Sequence, residues 1–324
     1  LLTGRNVPDG RKEDESVEGH APVRDPRVDK ISALVKPQKT KYAETVFLLC
    51  PDVGEGSSER FWLETARRCD LLCMVVRAFS SDAVYHPRGT VDPKRDRENL
   101  ETELMLADLE LVDKRLERIG KEKKAGQNHL QAVEERTLQK CKQAIESEQK
   151  PGTLKLDQEE SASLRSLGLL TLKPVIWTYN VDEKDVKDEG IDPVTISCKI
   201  EQEIMAIENP EERREFLAGL GLTSPGVDRM NRAVYDTLGL MSFYTMGEDE
   251  VRAWTIRKGS VAPVAAGKIH TDIERGFIRV EVVKYDDLVA AGSESAVKAQ
   301  GKVQLKGKDY VISDGDICNF RFNV

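Results

Sequence analysis

Residues 251–324 close the chain with two runs that alternate apolar and polar side chains, VRAWTIRKGSVAPVAAGKIHTDIERGFIRVEVVKYDDL and GKDYVISDGDICNFRFNV, flanked by Gly and Asp. A period of two suits a strand with unlike faces, so this stretch is constrained to a small, half-exposed β-sheet. Ile278, Val280 and Val282 are expected on one face, with Arg279, Glu281 and Val283 on the other. Asp314-Gly315 supplies a tight turn before Ile317, Phe320 and Phe322. Residues 293–300 read as one short helix between the strands, which gives the β-grasp arrangement of a ubiquitin-like module.

Upstream, the text changes period. TVFLLC (45–50), LLCMVVRAF (71–79) and PVIWTY (174–179) are short apolar runs without polar alternation, as expected for strands covered on both faces. With a helix at 59–68 between the first two, they form the strand-helix-strand unit of a P-loop or doubly wound α/β domain. Two long helical patterns, 99–119 and 128–148, interrupt that domain. Their stripes are Leu100, Leu104, Ala107 and Leu111 on one, and Leu130, Val133, Cys141 and Ile145 on the other. GKEKKAG turns between them, so the pair is expected to be an antiparallel hairpin with Lys/Glu-rich outer faces, a scaffold or a lever that touches a partner. Residues 1–22 are rich in Gly, Pro and charge and read as loop. Val28, Ile31, Leu34 and Val35 mark a helix ended by Pro37. A connecting helix is expected at 157–167, and amphipathic segments at 211–217 and 228–238 lead into the strand SFYTM.

With 324 residues the chain can form two or three self-sustaining domains. Charged residues make up 33% and the formal net charge is −8, which excludes coating nucleic acid by bulk attraction and argues against DNA as a partner. The charge is segregated, however. Residues 251–284 hold seven Lys/Arg (Arg252, Arg257, Lys258, Lys268, Arg275, Arg279, Lys284) against three Asp/Glu. Such a set is either an RNA-facing patch or a solvated sheet face. The six Cys include no C-x-x-C pair and no His at zinc spacing, so no metal site is expected and a reducing compartment is. No apolar run approaches membrane-spanning length. The first residue is Leu1 and not Met, so an upstream piece is expected.

The motifs VRAWTIRKG, APVAAGKIHTD, ERGFIR and KDYVISDGDICNFRFNV resemble the TGS domain of the Obg-like ATPase (YchF) family. That resemblance implies contact with ribosome or RNA through this module, by Arg252, Arg257, Lys258, Lys268, His270, Arg275 and Arg279, and favours the RNA-facing reading of the charge. His270 is either a strand-end residue or an RNA contact. Val91-Asp92-Pro93 and the hairpin after it match the family's helical arm. The implied fold is α/β: an eroded P-loop-type three-layer domain (1–93 and 168–240), an inserted helical hairpin (94–167) and a C-terminal β-grasp TGS domain (241–324).

A P-loop enzyme needs G-x-x-x-x-G-K-[ST], whose backbone N–H groups cradle phosphate while Lys and the hydroxyl hold the γ-phosphate and Mg²⁺. That string does not occur in the sequence. The family's D-x-A-G segment is replaced by FLLCPDVGEGSSERFW, where Gly54-Glu55-Gly56 and Phe61 keep register and Asp52 follows Pro51. Base recognition fares better. Asn180, Val181 and Glu183 resemble the N-x-x-E motif that favours adenine, and Ser197 with Glu201 resembles the last purine-contact loop, although 183–194 is short for the family's intervening helix. His86, in AVYHPRGTVDP, matches a histidine proposed for hydrolysis in the family; without a phosphate grip a loop role is the simpler reading. The expectation is a ribosome- or RNA-associated binding protein without hydrolytic activity. It needs no cofactor, ATP and Mg²⁺ entering only if the nucleotide site works. The alternatives are an active ATPase or GTPase of the family incompletely represented by this sequence, and a permanent subunit of an organellar ribosome. The cytoplasm is the expected location, with the mitochondrial matrix or another organelle as the alternative.

Overall fold

The computed structural model describes residues 15–50, 61–123, 128–188 and 192–323. In chain order the elements begin with β1 (Val17–Val23), α1 (Pro26–Val35), β2 (Lys39–Lys41), β3 (Ala43–Leu49), α2 (Phe61–Arg68) and β4 (Leu72–Arg77). There follow α3 (Pro93–Glu122), α4 (His129–Glu146), α5 (Gln158–Leu164), β5 (Val175–Asn180), β6 (Val194–Ile196), α6 (Cys198–Ala206) and α7 (Pro210–Gly219). The rest are α8 (Gly226–Thr237), β7 (Leu240–Met246), β8 (Glu250–Arg257), α9 (Ala262–Ile269), α10 (Thr271–Arg275) and β9 (Phe277–Lys284). Last come α11 (Tyr285–Ala291), α12 (Glu294–Ala299), β10 (Gln304–Lys306) and β11 (Asp316–Phe322). The contacts divide into one compact unit formed mainly by Leu48–Val227 and a second formed mainly by His20–Phe47 and Asp228–Val324. Among the described residues no helix is long and apolar enough to cross a membrane.

In the first unit β4, β5 and β6 make a parallel sheet in that order, with Met74 opposite Trp177 and Thr178 opposite Val194. β5 is central, so Ile176 and Trp177 are buried, whereas Val75 on the β4 edge is 58% exposed, against the expectation of burial on both faces. α3 starts where Asp92 accepts the Arg95 N–H and Pro93, which has no N–H to satisfy, fills the first turn. Its N-terminal half packs Leu104 and Ala107 on Trp62, Ala66 and Leu72. Its C-terminal half packs Val112 and Ile119 on Leu138 and Cys141 of α4 and on Leu164. The hairpin is thus as expected, but its seam begins one turn later on α4: Leu130 is 68% exposed, and Val133 is the first stripe residue buried. Two sequence expectations fail further upstream. Residues 17–22 are strand, not loop, and β3 pairs with β1 and not with the parallel sheet. A two-stranded ribbon offers few neighbours, and Val46 and Leu49 accordingly stay exposed.

The second unit is built on a sheet that, among the described residues, runs β10-β9-β11-β7-β8-β2. β7 and β8 form a hairpin, β11 lies parallel to β7 and antiparallel to β9, and β2 adds in parallel to β8 with Thr40 opposite Val251. The sheet is covered on both sides rather than half-exposed. On one side Val280, Val282, Ile256 and Phe243 meet Ala262, Ala265 and Ala266 of α9. On the other, Tyr244, Val251, Ala253, Val283 and Ile317 meet Val28 and Ile31 of α1, Leu288 of α11 and Val297 of α12. The helix held in the grasp is therefore α9, between β8 and β9, while the expected helix at 293–300 lies on the opposite side. Alternation alone could not tell a two-sided core from a one-sided one. Ile278 is exposed because the pairing steps from Arg321 opposite Arg279 to Phe322 opposite Phe277; this bulge hands the core position to Phe277. Gly315 at φ +86° makes the expected turn, its N–H donating to Ser242 O at 2.9 Å.

Candidate functional site

The ends of the three parallel strands are knitted by hydrogen bonds. Asn180 O accepts the Ala78 N–H at 2.8 Å, and the Val181 N–H donates to Ile196 O at 2.8 Å. The Asn180 carboxamide Oδ1 accepts the Cys198 N–H at 3.0 Å, and Asp182 Oδ2 accepts the Ser80 N–H at 3.2 Å. Asn180, Val181 and Ser197 are thereby brought to one place, the carboxyl edge of a parallel sheet, where α/β folds bind ligand. Ser197 is buried at the start of α6. Glu183 opens a 3-10 turn and is exposed. Glu201 is committed elsewhere: buried, it accepts the N–H groups of Gly226 at 2.7 Å and Val227 at 3.3 Å. This edge can offer an amide and a hydroxyl to a planar nitrogen base. The string G-x-x-x-x-G-K-[ST] does not occur among these 324 residues. Asp52 and Gly54-Glu55-Gly56 lie outside the described residues.

His86 is held on both ring nitrogens. Nδ1 accepts the Arg88 N–H at 3.2 Å, which leaves the proton on Nε2 to be donated to Asp96 at 3.1 Å. Its loop is wound around Arg77, whose guanidinium donates to the carbonyls of Phe79, Ser81, Val84 and Tyr85 and lies 4.5 Å from the centre of the Phe79 ring. Neither Arg77 nor Asp96 stood out in the sequence, since each is one charge among many. Asp108 could have been found: it stands on the buried stripe of α3, four residues from both Leu104 and Val112. Fully buried, it accepts from Arg67 Nη1 at 2.7 Å, from the Leu170 N–H at 3.0 Å, and from the Thr171 N–H and hydroxyl, each at 2.7 Å.

The seven residues implied for RNA contact do not converge on a single surface. Strand parity puts Arg252 on the side of Trp254 and Ile256, its guanidinium 4.0 Å from the centre of the Trp254 ring, and Arg257 on the other side. Arg252 and Lys268 line one cleft, together with Lys41 and Trp254. Lys258 lies 3.7 Å from Asp236, while Arg279 is exposed opposite Arg321. His270 is not a strand end: it caps α10, Nδ1 accepting the Asp272 N–H at 3.1 Å, because the chain turns there from one helix into the next. Arg275 pairs with Asp272 as well.

A parallel sheet whose strand ends carry Asn180 and Ser197, in one chain with a mixed grasp sheet, defines a P-loop-type α/β protein bearing a C-terminal β-grasp module. Comparison with known proteins narrows the class. A family model, YchF-GTPase_C, described as "Protein of unknown function (DUF933)", matches residues 240–323. The chain is 41% identical to the ribosome-binding ATPase YchF of Bacillus subtilis over 94% of its own length and 89% of that protein. It is 38% identical to the protein of the same name from Escherichia coli O157:H7, with the same coverage. Obg-like ATPase 1 of Caenorhabditis elegans matches at 37% over 83% of this chain and 72% of that one. The solved structure of the Schizosaccharomyces pombe YchF GTPase superposes with a TM-score of 0.82 at 32% identity, covering 94% of this chain and 87% of that one. The chain belongs to the YchF family of Obg-like ATPases.

Proposed function

We propose that this chain is a ribosome- or ribosomal-RNA-associated binding protein of the YchF family that does not hydrolyse nucleotide. The observation that carries the proposal is a contrast within one sequence: residues 240–323 match the family's C-terminal model, while the family's D-x-A-G segment is replaced by FLLCPDVGEGSSERFW. Relatives named as ribosome-binding ATPases support the partner. The working parts are a TGS domain at 241–324, with its cationic side chains, and a helical hairpin at 94–167. The domain at 1–93 and 168–240 keeps a base-edge site at Asn180, Val181 and Ser197. The setting is the cytoplasm or an organelle matrix.

A second reading is favoured by the order at Asn180, which ties three strand ends as a base pocket requires: a hydrolysing member of the family. Titration with a fluorescent ATP analogue separates the two. No saturable binding is expected, and Mg²⁺-dependent micromolar binding would sink the proposal. Ribosome pelleting before and after a high-salt wash then tells a reversible factor, which washes off, from a fixed subunit, which stays.

A further inference from the structure

The two ends of the six-stranded sheet are finished differently. β10 is a three-residue strand flanked by Lys302 and Lys308 and carrying Lys306, the short, lysine-rich kind of edge that resists pairing with another chain. At the other end β2 covers β8 only from Glu250 to Arg252. β8 continues to Arg257, and no strand among the described residues pairs with that side of residues 253–257. There the chain leaves β2 for β3, and a cleft of about 550 Å³ opens between Tyr42, Ala43 and Glu44 on one side and Ala253, Trp254 and Thr255 on the other. All of it lies within the second unit.

We propose that this cleft takes an extended acidic peptide segment of a protein partner, which adds to the open edge of β8 in continuation of β2. Alternate N–H and C=O groups of residues 253–257 face away from β7, and an extended chain satisfies such groups in register. Trp254 gives the cleft an aromatic wall. The charge favours a carboxylate: Lys41 is matched by Glu250 at 2.6 Å and Glu44 faces His20 at 3.4 Å, while Lys268 makes no ion pair with a described residue. Arg252 lies 3.8 Å from the same Glu250, a shared and looser match. A peptide residue whose carboxylate reaches Lys268 and Arg252 fills the unmatched positions. An RNA strand fits less well, having no amide ladder to offer β8.

The test uses the whole chain and the pentapeptide acetyl-VEVEV-amide as probe. Addition of the peptide is expected to slow hydrogen exchange at amides within residues 253–257, and the double variant Arg252→Glu with Lys268→Glu to weaken its binding at least tenfold. No protection at those amides overturns the proposal, as does equal protection by acetyl-VSVSV-amide. Equal protection by hexauridylate also overturns it and assigns the cleft to RNA. Exchange in the unsubstituted protein decides the matter even if the variant folds poorly. Because binding of the peptide is read apart from ribosome pelleting, either reading can fail alone.

Discussion

At the scale of single residues, the strongest constraint joins side chains that no local pattern connects. Arg27 donates to Asp25 through Nη2 at 2.9 Å and to Asp314 through Nη1 at 2.8 Å, two acids at opposite ends of the chain. Tyr244 adds a hydroxyl to Asp25 at 2.5 Å, and its ring faces the guanidinium at 5.5 Å. Burial raises the Asp25 carboxyl, but the hydrogen bonds from Arg27 and Tyr244 outweigh burial and hold it below the ordinary 3.8. A carboxyl lowered on folding contributes its full stability above the unfolded value and loses it as pH falls through the folded one. Asp25→Asn should therefore cost about 1.5–3 kcal/mol at neutral pH, the range for hydrogen bonds to a charged group. The cost should shrink as pH falls below the unfolded carboxyl's value of about 3.9 and through the lowered folded one. Thermal melts of both proteins at pH 7, 4 and 3 test this. A difference that is constant across the series would show that the charge of Asp25 is irrelevant. Nothing at Arg27 in the sequence announces the clamp, because its partners are fixed only after the sheet forms.

At the scale of elements, the sequence was most legible where a pattern is long and local. The hairpin was readable from two stripes at helical spacing, and β5 from one apolar run. Less legible was whatever depends on what lies above a strand. The buried residues of α9 are Ala262, Ala265 and Ala266, each too small to signal a core, so the pattern points to α12 instead. The C-terminal strand docks just as closely. A Cβ at Gly276, between α10 and β9, would stand 2.1 Å from the carbonyl oxygen of Asn323 and 2.9 Å from its carbonyl carbon. Since that neighbour is backbone, and the Asn323 N–H also donates to Gly276 O at 2.9 Å, it cannot step aside without opening the end of β11. Gly276→Ala should destabilise by about 1–3 kcal/mol, the usual cost of overpacking. The drop would be read from the midpoint of urea denaturation followed by near-ultraviolet circular dichroism. A midpoint unchanged from wild type would mean that β11 does not dock there.

At the scale of the whole molecule, composition gave the class, and the residues of the C-terminal module gave the family; chain order hid one fact of assembly. α1 and β2 come early in the chain yet pack in the second unit, where Lys39, Thr40 and Lys41 pair with Glu250, Val251 and Arg252. Periodicity reports a strand's faces and not its distant partner. Asn180 and Ser197 at one strand edge were legible because a motif names them, while the bracing of that edge through Asp182 and Ser80 was not. Charge at this scale makes the last prediction. A molecule of net charge −8 is repelled by RNA as a whole, so association must rest on a few local cations and must be steeply sensitive to salt. Each phosphate contact contributes about 0.7 to 0.9 to the slope of log K against log salt. Arg257→Ala, Lys258→Ala and Arg279→Ala together leave the cleft at Trp254 untouched, and if all three contact phosphate they should flatten the slope of ribosome association by about 2 to 3. Pelleting across a salt series measures it. A slope unchanged by the three substitutions would remove these residues from the interface and leave the hairpin as the surface to test.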